Sequence, residues 1–244
     1  MIERLIQLEE DIHYQEFATV GEPEFVHVKG SIPILISAPH GAAHTRNGKR
    51  KDEDEFTGGI AQLIGQETGA HVLYARRKSS TDPNVDPSAP YKQKLAEIVK
   101  NYRIGFVLDI HGVKASRNYG IELGTARGAS CSEKEKDLIV KIFQEHGFVP
   151  NAPVEHLKLL VDRINIGEGS DTEERVIGFV WKKLDTPAAQ FELNAHLRIP
   201  QRRADASPDD KSFKGDPELI VRTVQAFTAL VARLADQYSL SLSK

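Results

Sequence analysis

The chain has 244 residues, 40% hydrophobic and 27% charged, with a formal net charge of −3. That balance describes an ordinary globule and gives no overall basic field for nucleic acid or an anionic membrane surface. Cys131 is the only cysteine. This excludes an internal disulfide and any cysteine-rich zinc site, so a metal would have to be held by histidines and carboxylates.

Met1 to Glu10 is charged throughout and has no apolar h-region, and no apolar run approaches bilayer length. A cytoplasmic protein is therefore expected. Residues 1 to 24 read as a polar N-terminal extension of one α/β domain spanning 1–244. Phe25 to Val28 predicts a strand, and Gly30-Ser31 a turn that makes it an edge hairpin with the next strand. That next strand is Pro33-Ile34-Leu35-Ile36-Ser37-Ala38-Pro39-His40-Gly41, an apolar run that breaks at a histidine. Residues 41 to 53 predict a long surface loop, in which His44 reads as a solvent residue. Phe56, Ile60, Leu63 and Ile64 predict a helix stopped by Gly69, with Asp52 to Glu55 at its positive first turn.

His71 to Ala75 predicts the next strand, and Arg76 to Ala89 a loop containing Asp82-Pro83-Asn84. Pro90 opens a helix to about Tyr102. Phe106-Val107-Leu108-Asp109-Ile110-His111-Gly112 then repeats the design of an apolar strand ending in His-Gly. A buried strand holds its last residue rigidly, and glycine lets the backbone turn away. Tyr119 to Gly124 and His156 to Val161 are further strands. Ser132 and Glu135 form a capping box for the helix between them. Gly167 to Ser170 is a loop, Thr172 to Leu184 a helix, and Ala188 to Leu193 the last strand. Asp216 caps a final helix begun by Pro217. Strands alternating with helices imply a mixed, mostly parallel central sheet with helices on both faces.

Two histidines on strand ends, one carboxylate from the acidic cluster and one water would make an open zinc site that polarises a carbonyl. The same acids have a plainer use as charge at a helix N-terminus, and each histidine a plainer use as a structural residue. Asp109, two residues before His111 on the same strand face, either orients that imidazole or serves more plainly as a strand-end acid capping a loop. Glu192, inside the apolar Phe191-Glu192-Leu193, is costly to bury unless paired or functional; near a metal it would be the general base, and its plainer reading is an edge-strand residue facing solvent.

Taken in order, Pro39-His40-Gly41, Asp54-Glu55-Phe56-Thr57, Asp109-Ile110-His111-Gly112 and Gln190-Phe191-Glu192-Leu193-Asn194 resemble the N-formylglutamate amidohydrolases over about residues 25 to 235. That resemblance implies a zinc-carboxypeptidase-like fold and one Zn2+ held by two histidines and an acid. Carried over by position, the ligands are His40, Asp54 (from Glu53, Asp54 and Glu55) and His111, with Glu192 as the base. Val85 stands where the family carries the arginine of an Asn-Arg pair. Arg198, Arg76 and Asn84 are the candidates to bind a substrate carboxylate or the oxyanion. The implied activity is hydrolysis of a small N-acyl amino acid or peptide-like amide. A carboxypeptidase-like peptidase and a non-catalytic ligand-binding member are the alternatives.

Overall fold

A computed structural model describes residues 1–167, 175–207 and 212–242. Its centre is a seven-stranded sheet, built from β2 (Phe25–Val28), β3 (Ile32–Ala38), β6 (Ala70–Ala75), β8 (Phe106–Val113), β9 (Ile121–Gly124), β10 (Leu159–Val161) and β11 (Ala188–Asn194). The spatial order is β10-β9-β11-β8-β3-β6-β2. β6, β3, β8 and β11 run parallel, as do β9 and β10, while β2 against β6 and β9 against β11 are antiparallel. Alternate residues of β3 divide the interior. Ile34, Ile36 and Ala38 pack under α1 (Ile2–Glu9), α2 (Thr57–Thr68), α4 (Glu133–Glu145) and α6 (Pro217–Leu242). Leu35, with Leu73 and Val107, packs under α3 (Pro90–Tyr102) and α5 (Val176–Lys183). Both faces are thus covered, which is why β3 and β8 enter as unbroken apolar runs, Ile34 to Ile36 and Phe106 to Leu108, before their polar residues near the carboxyl ends. The predicted start of the helix at Thr172 lies outside the described residues.

Residues 1 to 24 hold α1, whose Leu5 and Leu8 join the main core, and β1 (His13–Phe17), which pairs with the short β7 (Arg77–Lys78). Three expectations are corrected. β2 lies at the sheet edge against β6, not in a hairpin with β3. The 41–53 loop holds a small hairpin of β4 (His44–Arg46) and β5 (Lys49–Lys51), turned by Asn47 and Gly48 at positive φ. The four acids precede α2, whose first turn carries none, so the helix dipole does not explain them.

The His-Gly glycines also work differently from expectation. Neither has a positive φ, and β8 continues through Gly112 and Val113. Their role is close approach. A Cβ on Gly41 would stand 2.8 Å from the Ala75 carbonyl oxygen, and one on Gly112 would stand 2.6 Å from the Arg198 guanidinium. Arg198 is buried and donates to the backbone carbonyls of Leu193, Val113 and Glu55, so it cannot swing aside. Gly112→Ala is expected to lower unfolding stability by about 1–3 kcal/mol. A urea midpoint equal to wild type would contradict this packing.

Glu9, at the end of α1, is fully buried. It accepts from the Tyr14 hydroxyl at 2.6 Å, the Phe56 amide at 2.8 Å and the Gly59 amide at 2.7 Å. It therefore supplies from another helix the acceptor that α2 lacks at its own start. Phe56, left-handed at φ 65°, is held in this turn. Burial pushes the Glu9 carboxyl up to about 7, against the pull of those three donors. A carboxyl raised in the folded state keeps a proton that the unfolded chain releases. Its contribution is full below about pH 4.5 and fades as pH rises to about 7, a change of about 3 kcal/mol. Unfolding at pH 5 and pH 8 checks this. Glu9→Gln should lose more relative to wild type at pH 5 than at pH 8, and equal losses would exclude the assignment.

Candidate metal-binding and catalytic site

The site lies at the carboxyl-terminal edge of β3, β8 and β11, where open α/β sheets place their ligands. His40 follows β3 by two residues, and its carbonyl accepts from the Asp54 amide at 2.8 Å, which brings the acidic segment across. His111 sits within β8, and the parallel register sets Glu192 of β11 beside it, as it sets Gln190 beside Asp109.

His40 Nδ1 and His111 Nδ1 stand 3.1 Å apart, and Asp54 Oδ2 is 3.5 Å from each. The far nitrogen of each ring is engaged by a buried carboxylate. His40 Nε2 is 3.0 Å from Asp82 Oδ1, and His111 Nε2 is 2.9 Å from Asp109 Oδ2. Two imidazoles thus point the same nitrogen at one spot, with their orientation fixed from behind. Burial works to lower both histidines, but the carboxylates outweigh it and hold them above the usual imidazole range. Burial likewise works to raise Asp54, and its contacts with His111 and His40 hold it well below the usual carboxylate range. Glu192 is 9% exposed and accepts from Gln190 Nε2 at 3.0 Å. Burial pushes its carboxyl up to about 7 against the pull of His111, with Asp54 adding to the rise.

These residues fit a metal ion. Three donor atoms of the types that zinc takes converge within 4.8 Å, and each histidine has the carboxylate partner typical of such ligands. A second convergent group, His40, His44 and Asp82, is also buried. It fits less well, because Arg46 Nε donates to Asp82 Oδ2 and already neutralises that carboxylate. Among the three acids left open by the sequence, Glu53 accepts from Ser207 and Gln15, and Glu55 pairs with Arg202 at 2.9 Å. Asp54 is the one turned to the histidines.

The other named residues fall apart. Arg198 lines the cavity beside the site, but its fork is spent on three backbone carbonyls. Asn84 is buried and accepts from the Val176 amide at 2.8 Å. Arg76 lies elsewhere, paired with Asp11 at 2.8 Å and facing Glu22. His44 is not a solvent residue. It is 3% exposed and stacks on His40 with centroids 4.0 Å apart. Sequence reasoning missed Asp82, Arg46 and Arg202. The Asp-Pro-Asn turn was the one available signal for Asp82, whose Oδ1 accepts from the amides of Asn84 and Val85.

No protein-family model matches the chain, and no curated protein matches it in sequence. Solved structures match it in fold. The N-formylglutamate amidohydrolase of Ralstonia eutropha JMP134 superposes with a TM-score of 0.62 at 14% identity, over 88% of this chain and 97% of that one. A bacteriophage poly-gamma-glutamate hydrolase gives 0.49 at 12% identity, over 91% and 93%. A Pseudomonas aeruginosa metallo-carboxypeptidase gives 0.46 at 13%, over 98% and 68%. The chain is thus a mixed α/β protein with a mostly parallel sheet. It has the fold seen in N-formylglutamate amidohydrolase.

Proposed function

We propose that this chain is a zinc-dependent amidohydrolase that cleaves the amide of an N-acyl amino acid or peptide-like substrate. The observation that carries this reading is the convergence of His40 Nδ1, His111 Nδ1 and Asp54 Oδ2 beside a buried glutamate. The shared fold with N-formylglutamate amidohydrolase supports it.

His40, Asp54 and His111 hold the metal. A zinc ion bound there supplies a Lewis acid that polarises the amide carbonyl and acidifies water. Glu192, raised to about 7, takes a proton from the attacking water and returns it to the leaving amine. Asp109 and Asp82 fix the ring orientations of His111 and His40. The experiment that tests the reading is elemental analysis of the purified protein beside turnover of a panel of N-acyl amino acids and short peptides. About one zinc per chain with amide cleavage supports it. A protein that takes up no zinc and turns over nothing sinks it.

Asp82 gives a separate check. Asp82→Asn keeps the shape but lets the amide donate towards His40 Nε2, disturbing the tautomer that leaves Nδ1 free. Zinc affinity, read by chelator competition, should fall about 10–100-fold. Unchanged affinity would remove Asp82 from the site's support.

A further inference from the structure

Resting on the hydrolase reading above, we infer that the pocket is built for an acidic peptide rather than a single N-acyl amino acid, with substrate carboxylates held by Arg202 within and by Lys51 and Arg117 at the rim. The cavity beside the site measures about 960 Å³. That lies at the upper end of the roughly 300–1,000 Å³ range of pockets that enclose drug-sized ligands, and an N-formyl amino acid is far smaller. The volume accommodates several residues of chain around one scissile amide.

The charges lining this cavity are asymmetric in their commitments. The acids are engaged. Asp52 pairs with Arg50 at 3.0 Å, Glu53 accepts from Ser207 and Gln15, Asp54 faces the histidines, and Glu55 pairs with Arg202. The cations are not equally engaged. Lys51 and Arg117 are exposed cavity-lining side chains with no ion-pair partner among the described residues. Arg202 spends Nη2 on Glu55, and its Nε and Nη1 have no hydrogen-bond partner although they are buried. Its guanidinium lies 5.8 Å from the centre of the Phe213 ring, which lines the same cavity. Its Nε and Nη1 are closed off from the cavity as the side chain stands, so Arg202 meets a substrate carboxylate by turning from Glu55, and a planar carboxylate matches its fork. The chain as a whole is acidic, so this local excess of available cations is a property of the pocket. Cleavage needs only water: its oxygen bonds to the acyl carbon, the carbon–nitrogen bond breaks, and the proton goes to the amine.

The test compares tetraglutamate, tetraglutamine and N-formylglutamate on the zinc-loaded protein. The tetraglutamate is assayed α- and γ-linked, because charge recognition alone accepts both. At least one tetraglutamate should exceed tetraglutamine and N-formylglutamate in kcat/KM by tenfold or more. That advantage should shrink as salt rises from 50 to 500 mM. Lys51→Glu with Arg117→Glu should raise its KM at least tenfold, and Arg202→Met should do the same. Lys141→Glu, a reversal of an exposed residue of α4, is the control for net charge and should leave KM unchanged. Equal kcat/KM for the acidic and amide peptides, or a preference for N-formylglutamate, would overturn the inference while leaving the hydrolase reading intact. If no compound is cleaved, the hydrolase reading fails instead, and calorimetry of the peptides on the same protein decides this one. Tetraglutamate binding at least tenfold tighter than tetraglutamine supports it, and equal or absent binding overturns it.

Discussion

Replacing His111 by alanine is expected to abolish both bound zinc and amide cleavage. Catalytic zinc sites keep three protein ligands, and loss of His111 Nδ1 would leave only His40 and Asp54. The Lewis acid in such a site supplies several kcal/mol of transition-state stabilisation. At about 1.4 kcal/mol per factor of ten, that amounts to roughly 10³–10⁴ in kcat/KM. The variant also leaves Asp109 buried without its partner at 2.9 Å, so some stability is lost as well. A melting curve separates the two effects, because a folded variant without zinc answers the question that an unfolded one does not. If the variant does not fold, His40→Gln serves in its place, with a side-chain amide that reaches the Nε2 position and can still donate to Asp82 while the Nδ1 ligand is lost. A folded variant of either histidine that keeps one zinc per chain and full turnover would remove the site.

Glu192→Gln should part metal from chemistry. Glutamine keeps the shape beside His111 but cannot take a proton from water. General-base loss costs typically 10²–10⁴-fold in rate, so kcat should fall by about that much while zinc content stays at the wild-type level. KM should change little, since the side chain is 9% exposed and acts on the attacking water. Retained kcat would mean that another group moves the proton. Lost zinc would mean that Glu192 supports the ligands rather than the reaction. Together the two variants distinguish a hydrolase from a binding protein of the same fold, because a binding protein would respond to the first and have no rate to lose in the second.

The central strands were readable because burial on both faces forces uninterrupted apolar runs, as in Ile34 to Ile36 and Phe106 to Leu108. The cluster of His40, His111 and an acid was readable as proximity, since strand ends in an α/β sheet meet along one edge. Which acid turns inward was not. Asp54 is selected by a backbone hydrogen bond to His40 and by the competing commitments of Glu53 and Glu55. Asp82 escaped for the same reason: it contacts His40 across 42 positions of chain, and nothing local marks it beyond a turn. The glycines after the histidines were found but misread. Their job is set by the Ala75 carbonyl and the Arg198 guanidinium, neither of which is near them in sequence. Helix α1 was missed because its charged residues hide the spacing of Leu5 and Leu8, and because only the fold shows what Glu9 holds.

That hold reaches further than stability. An eight-residue helix has little tendency to persist without tertiary support, so α1 keeps its place through the buried Leu5, Leu8 and Glu9. Were it lifted, the Phe56 and Gly59 amides would lose their acceptor, and the turn that presents Asp54 would loosen with them. Proteolytic trimming or an N-terminal fusion that unseats the first twelve or so residues would then act as a remote inhibitor, weakening zinc retention without touching a ligand. Hydrogen exchange of the 54–59 amides should rise in step with such trimming. The stretch that reads in sequence as a polar extension is, in mechanical terms, the latch of the proposed metal site.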